Sequence, residues 1–139
     1  MQPDVDVDAL EVGQQIPEVV RTTTLDNWNR FAAVNDEFVP IHMDDEAGKA
    51  AGYPSAFGMG NLQWSYLHNV VRDWAGDNAT ILKVSCKFRG ANTKGQTVTA
   101  GGVVRAINRE GSRTLVELDI WTKNQDGVPL APGSATVQF

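Results

Sequence analysis

An α+β fold, with an antiparallel sheet wrapped about one long helix, is predicted by a change of period within the chain. Between Gly58 and Trp74 the apolar residues Met59, Leu62, Tyr66, Leu67, Val70, Val71 and Trp74 recur at three and four, the stripe of a helix with one buried face. From Thr80 onward the period falls to that of strands, and loops of hairpin size separate them, which favours antiparallel pairing. One striped helix needs a sheet to cover it, so the two halves specify a layered unit.

Residues 1–15 are polar and are expected to be a loosely ordered lead-in that closes at Pro17 in EVGQQIP. Val19 to Thr23 is β-prone. Thr24 can then cap a helix over LDNWNRFAAV, with Leu25, Trp28, Phe31 and Ala32 on one face and Asp26 suiting the dipole of the first turn. Pro40 removes a donor and biases Val39 toward extended backbone, so that helix cannot run far past Asn35. Asp44 is a candidate N-cap for a short helix DEAGKAA that stops at Gly52, and Tyr53 to Phe57 reads as a turn. The long helix over Gly58–Trp74 ends at Gly76 and Asp77. Four strands follow, TILKVSCKF, QTVTAGGVVRAI, TLVELDIWT and SATVQF, with turns at GANTKG, NREGS and KNQDGVPLAPG.

A chain of 139 residues is expected to form a single domain over 1–139. Its 42% hydrophobic and 21% charged content is that of an ordinary globular protein. A net charge of -5 argues against nucleic acid as a partner, because a phosphate backbone is gripped through Lys and Arg. Cys86, the one cysteine, has no intrachain partner and no neighbouring histidine to activate it. The acidic opening lacks a basic n-region and apolar core, and no apolar run reaches membrane-spanning length, so no membrane association and a cytoplasmic location are expected.

The chemistry is concentrated between Asn35 and Met59. Two acids, Asp36 and Glu37, precede His42, one of only two histidines, in a segment stiffened by Pro40. An imidazole titrates near neutral pH and can take and return a proton, a carboxylate can orient it and hold a water, and the amides at a helix start can polarise a carbonyl. Alone, an acid and a histidine a few residues apart are more often a surface pair. His68 reads as a solvent-facing or core-edge side chain, and Trp28, Trp64, Trp74 and Trp121 as packing of the sheet or of a dimer seam. No phosphate loop is present, since the spacing of glycine and lysine is wrong. His42 with Asp44 and Asp45 is the one candidate metal cluster, and two adjacent aspartates at a helix start are better explained as cap and dipole partners, so no metal is expected.

The segment EFVPIHMDDEAGKAAGYPSAFGMG resembles the signature of the MaoC-like, (R)-specific enoyl-CoA hydratases: an Asp, any residue, Asn-Pro-Ile/Leu-His, an Asp with an alanine-rich turn, then His-Gly-Met. RDWAG (Arg72 to Gly76), KFRG (Lys87 to Gly90) and KGQTVTAGGVV (Lys94 to Val104) extend the likeness, which covers most of the chain from about Leu25. The resemblance implies the hot-dog fold and the addition of water to the double bond of a 2-enoyl-CoA, or its removal from the 3-hydroxyacyl-CoA. It implies no cofactor beyond the coenzyme A carried by the substrate, and a homodimer or higher homo-oligomer whose sheets join, or a pairing with a paralogous hot-dog subunit.

Carried over by position, the resemblance implies that His42 is the catalytic histidine. Its acid falls at Glu37, five residues earlier, with Asp36 the neighbouring alternative. Gly58 is implied as the amide that binds the thioester oxygen. Glu37 replaces the family's Asp, Val39 its Asn, and Phe57 the histidine before that glycine. The last change implies a pocket reshaped toward an apolar or bulky acyl group, with Val39, Phe57 and Met59 as substrate contacts. Lys87 and Arg89, beside Lys83 and Lys94, read as the polar side of a sheet or, for a CoA enzyme, as donors to its phosphates. Two alternatives remain open. One is a non-catalytic hot-dog subunit shaping a partner's pocket, motivated by the three departures. The other is a thioesterase, which needs a carboxylate on the central helix, where only Asp73 is offered.

Overall fold

Gly60–Ala75 forms the long helix α3, and all five strands pack against it. The structure, a computed structural model, describes residues 4–139. Its elements are β1 (Gln15–Thr22), α1 (Leu25–Asn35), α2 (Asp45–Ala50), α3, β2 (Thr80–Cys86), β3 (Thr97–Glu110), β4 (Arg113–Lys123) and β5 (Pro129–Gln138). The strands form one antiparallel sheet in the order β1-β3-β4-β5-β2, so β1 and β2 are its edges. This is the α+β layout predicted by the change of period.

The alternation of β4 shows how the sheet closes over the helix. Val116, Leu118, Ile120 and Thr122 are buried on one face while their neighbours are not. They meet Leu62, Tyr66, Leu67, Val70, Val71 and Trp74 on the inner stripe of α3. Each large apolar side chain so buried stabilises the fold by about 1.5–3 kcal/mol, and an isolated helix of this length would be marginal without that stripe. Burial also raises the pKa of the Tyr66 phenol, which therefore stays protonated. At Gly76 the chain turns to φ +71 and the helix stops where the sequence places its end.

Four boundaries differ from the sequence reading, each for a local reason. The lead-in is not loose: Val7–Ala9 forms a 3-10 turn capped by Asp6, and Leu10 is 5% exposed within the core. The first strand starts at Gln15 and runs through Pro17, which is tolerated because β1 is an edge and its register shifts between Ile16 and Val19. β5 starts at Pro129, well before SATVQF, with Pro132 opposite Trp121. Pro132 turns its carbonyl toward Lys87 N–H (2.9 Å), beyond the last ladder pair of β2, so its missing N–H falls where the ladder needs no donor. Finally, α3 begins at Gly60 and not Gly58, because Met59 is extended (φ -64, ψ 138) and serves as the N-cap residue.

Candidate active site

The sequence around Pro40 folds as two tight turns that return the chain to the start of α3. Asp36 ends α1 in the left-handed conformation (φ 52, ψ 41), the only non-glycine residue with positive φ among the described residues. Pro40, with its φ preset, opens a second 3-10 turn, Pro40–His42, in which His42 N–H donates to Val39 O at 3.0 Å. Between these turns Glu37 reaches across to α3: its Oε2 accepts from Asn61 Nδ2 at 3.2 Å and from Asn35 Nδ2 at 3.0 Å. Of the two candidate acids, Glu37 is therefore the one tied to the helix start, and exposed Asp36 serves the turn.

His42 is 7% exposed, and its Nδ1 lies 2.7 Å from the carbonyl oxygen of Phe57. A carbonyl can only accept, so Nδ1 carries a proton, and in the neutral ring the lone pair is on Nε2. That tautomer is the one a general base needs. The same peptide unit continues the chain of hydrogen bonds, since its other end, Gly58 N–H, donates to Asn92 O at 2.7 Å. Gly58, expected to supply the oxyanion amide, is thus corrected: its N–H is already taken. The amides with no acceptor inside the helix are those of the first turn of α3, at Gly60 and Asn61.

Position 58 requires glycine because of how closely the core approaches it. A Cβ there would stand 2.8 Å from Trp28 Nε1 and 3.1 Å from Asn92 Oδ1. Trp28 is fully buried, and its Nε1 is the one buried side-chain polar atom without a hydrogen-bond partner among the described residues.

A cleft of about 270 Å³ opens at the same tip, with Tyr53, Phe57, Gly58, Gly60, Phe88 and Arg89 among the residues lining it. Phe57 is its wall toward the histidine: the ring lies edge-on to His42 (centroids 5.4 Å apart, 87° between planes) and against Tyr53 at 4.3 Å. Neither Glu37 nor His42 lines this cleft. Phe88 is 55% exposed and stands over Gly60, where a Cβ would be 3.1 Å from its ring.

Of the expected substrate contacts, Phe57 and Arg89 line the cleft, and three do not. Met59 is corrected to a core residue, 0% exposed. Val39, 39% exposed, faces out beside the Pro40 turn, and Lys87 is exposed past the end of β2; neither lines the cleft. Asn61, Tyr53, Phe88 and Asn92 enter the site without having been singled out. Asn61 carried the one usable signal, a polar residue in the first turn of the striped helix. No group of three or more His, Cys, Asp or Glu that could hold a metal ion occurs among the described residues.

Asp45 braces the loop that carries Phe57. Its carboxylate accepts from Ala56 N–H (3.1 Å) and from Lys94 Nζ, and the Lys94 hydrogen bond, followed by that of Ala56, holds its pKa below the ordinary 3.8. A depressed folded value means that the stability Asp45 contributes is complete above 3.8 and is lost as the pH falls through the lower value. The difference in melting temperature between the chain and Asp45→Asn should hold from neutral pH to about pH 5 and shrink below about pH 3.8. A difference that persists undiminished in stronger acid would show that this carboxylate braces nothing.

No helix among the described residues is long and apolar enough to cross a membrane. Comparison with curated proteins gives no match. Comparison with solved structures finds the (R)-hydratase from A. caviae involved in PHA biosynthesis, 24% identical over 93% of this chain and 96% of that one, with a TM-score of 0.82. R-hydratase PhaJ1 from Pseudomonas aeruginosa superposes with a TM-score of 0.85 at 18% identity, over 98% of this chain and 89% of that one. The ChsH1-ChsH2 complex from Mycobacterium tuberculosis gives 0.81 at 22% identity, over 91% and 96%. These likenesses establish the hot-dog fold. The sequence profile of the MaoC like domain matches residues 9–123, most of the chain, and the protein accordingly belongs to the MaoC-like dehydratase family.

Proposed function

We propose that the protein adds water across the double bond of a 2-enoyl-CoA and, in reverse, removes it from the 3-hydroxyacyl-CoA. The observation that carries this reading is the 2.7 Å bond from His42 Nδ1–H to Phe57 O, which leaves Nε2 as a base on the segment that also carries Glu37. His42 Nε2 and the Glu37 carboxylate hold a water; as its oxygen bonds to the β-carbon, one proton leaves for the base and a proton is returned to the α-carbon. The enolate-like thioester oxygen is met by the first-turn amides of α3 at Gly60 and Asn61 and by the positive end of the helix, the place first given to Gly58. Coenzyme A arrives with the substrate, and Arg89 at the cleft offers a charge-assisted donor to its phosphates.

A second copy of the chain is the partner this reading implies. Support comes from β2, a free edge with only Lys83 as a charge, whereas the other edge, β1, carries Pro17, Glu18 and Arg21. Leu82 within β2 (52% exposed) and Phe88 and Trp64 (42% exposed) beside it are exposed apolar side chains that a second sheet would cover.

The non-catalytic subunit is kept as the second reading because Phe57 closes His42 off from the cleft. Two of the structural neighbours, ChsH1-ChsH2 and HadBC, are complexes. The thioesterase loses its support, since Asp73 is exposed 13 residues along α3 from Gly60, about 20 Å from the tip.

The test is loss of the conjugated-thioester absorbance of crotonyl-CoA and of bulkier enoyl-CoAs with the chain alone, at a measured mass in solution. Turnover by a homo-oligomer supports the proposal. A folded chain that is inert alone and active only when a second hot-dog chain is added supports the subunit reading, and release of free thiol would restore the thioesterase.

A further inference from the structure

The Phe57–Gly58 peptide joins the histidine to a buried polar cluster on the far side of the loop. Asn92, 1% exposed, accepts Gly58 N–H through its main-chain carbonyl, and its side chain is anchored in turn, Nδ2 donating to Thr23 Oγ1 at 2.9 Å. Thr23 is 0% exposed; its hydroxyl and its N–H both donate to Gln96 O, each at 2.9 Å, and its carbonyl accepts Gly95 N–H at 2.7 Å. Both ends of the 57–58 peptide thus carry short hydrogen bonds, and a peptide whose N–H is donated is a stronger acceptor at its C=O.

We propose that Asn92 and Thr23 are positioning residues for His42, holding the Phe57–Gly58 peptide so that its carbonyl keeps the proton on Nδ1 and the lone pair on Nε2. In many enzymes a carboxylate orients the histidine; here a peptide group does so, itself fixed by an asparagine on the loop after β2. The inference deepens the hydratase reading and rests on it for its catalytic meaning. Its structural content, a tautomer set through a peptide, can be measured without turnover.

The mechanism assigns different effects to two changes at one position. Thr23→Ser keeps the hydroxyl, whereas Thr23→Val has nearly the same shape but removes the shortest bond of Asn92 Nδ2, leaving it only Thr93 O and Gln96 Oε1, each at 3.4 Å, and so loosens the loop. Nitrogen NMR of the imidazoles reads the tautomer in the full chain; His42→Ala assigns the signals, and His68 is the internal reference. The wild type and Thr23→Ser should show the Nδ1–H form at His42, and Thr23→Val should lose that preference while His68 is unmoved. If the chain turns over enoyl-CoA, kcat in Thr23→Val should fall by about 10- to 100-fold, as a shift of about 1 Å in a catalytic group allows, with KM nearly unchanged and the serine variant restored. Asn92→Ala, which leaves the Thr23–Gln96 bonds in place, serves if Thr23→Val does not fold and should disturb the His42 tautomer in the same way. A folded Thr23→Val or Asn92→Ala with the His42 tautomer intact would overturn the proposal. An inert wild type with the tautomer effect present would instead count against the hydratase reading alone.

Discussion

His42→Ala is expected to lower kcat for enoyl-CoA hydration by about 10²- to 10⁴-fold, the span that general acid–base help supplies. In this reading the imidazole takes the proton from water, so alanine leaves Glu37 alone to hold the water. KM should change little, because the cleft is lined by Tyr53, Phe57, Phe88 and Arg89 and not by His42. The fold should survive: the ring makes one hydrogen bond, to Phe57 O, and edge contacts with Phe57, so its loss costs about 1–2 kcal/mol, within the margin of an ordinary domain. Steady-state kinetics with circular dichroism on the same sample decide it. Undiminished turnover would remove His42 from the mechanism and with it the reading built on its tautomer.

Gly48→Ala is expected to damage both the fold and the site through a single methyl. By helix propensity alone the change would stabilise α2 by about 1 kcal/mol. The close packing reverses that sign: a Cβ at 48 would stand 2.0 Å from Ser55 O and 2.7 Å from Ala56 N, both main-chain atoms that no rotamer can move. Either α2 or the turn through Ser55 must shift, at a cost of about 1–3 kcal/mol or more for overpacking. That turn carries Phe57, whose carbonyl orients His42, and it is also held by Asp45 at Ala56 N–H and by Ile41 O at Phe57 N–H (3.1 Å). Activity is therefore expected to fall together with melting temperature. A variant as stable as the wild type would show that the turn yields freely and that its placement does not constrain the site.

Patterns with a period were legible along the chain. The 59–74 stripe, the strand alternation after Thr80 and the cap at Thr24 each encode a local hydrogen-bonding or burial rule, and α1, α3, β3 and β4 follow them; Asn27 Oδ1 accepts Thr24 N–H at 2.9 Å as a capping pair should. The boundaries that moved, β1 through Pro17 and β5 from Pro129, turned on whether a strand lies at an edge or where its neighbour's ladder ends. Proline tolerance depends on which side lacks a partner, and a linear string does not show sides.

At the site the division is the same. One stretch, read as a motif, offered the imidazole, the pair of acids and the glycine, and the family resemblance it carries agrees with the match over residues 9–123. Three further facts depend on atoms brought together from distant parts of the chain: Glu37, not Asp36, meets α3 through Asn61; Gly58 N–H is held by Asn92; and Met59 belongs to the core. Residue types can announce which chemistry is on offer, because acidity and basicity are properties of single side chains. Which amide is free, which acid reaches the helix start and which tautomer the base holds are properties of hydrogen bonds between segments, and those exist only once the sheet has closed around the helix.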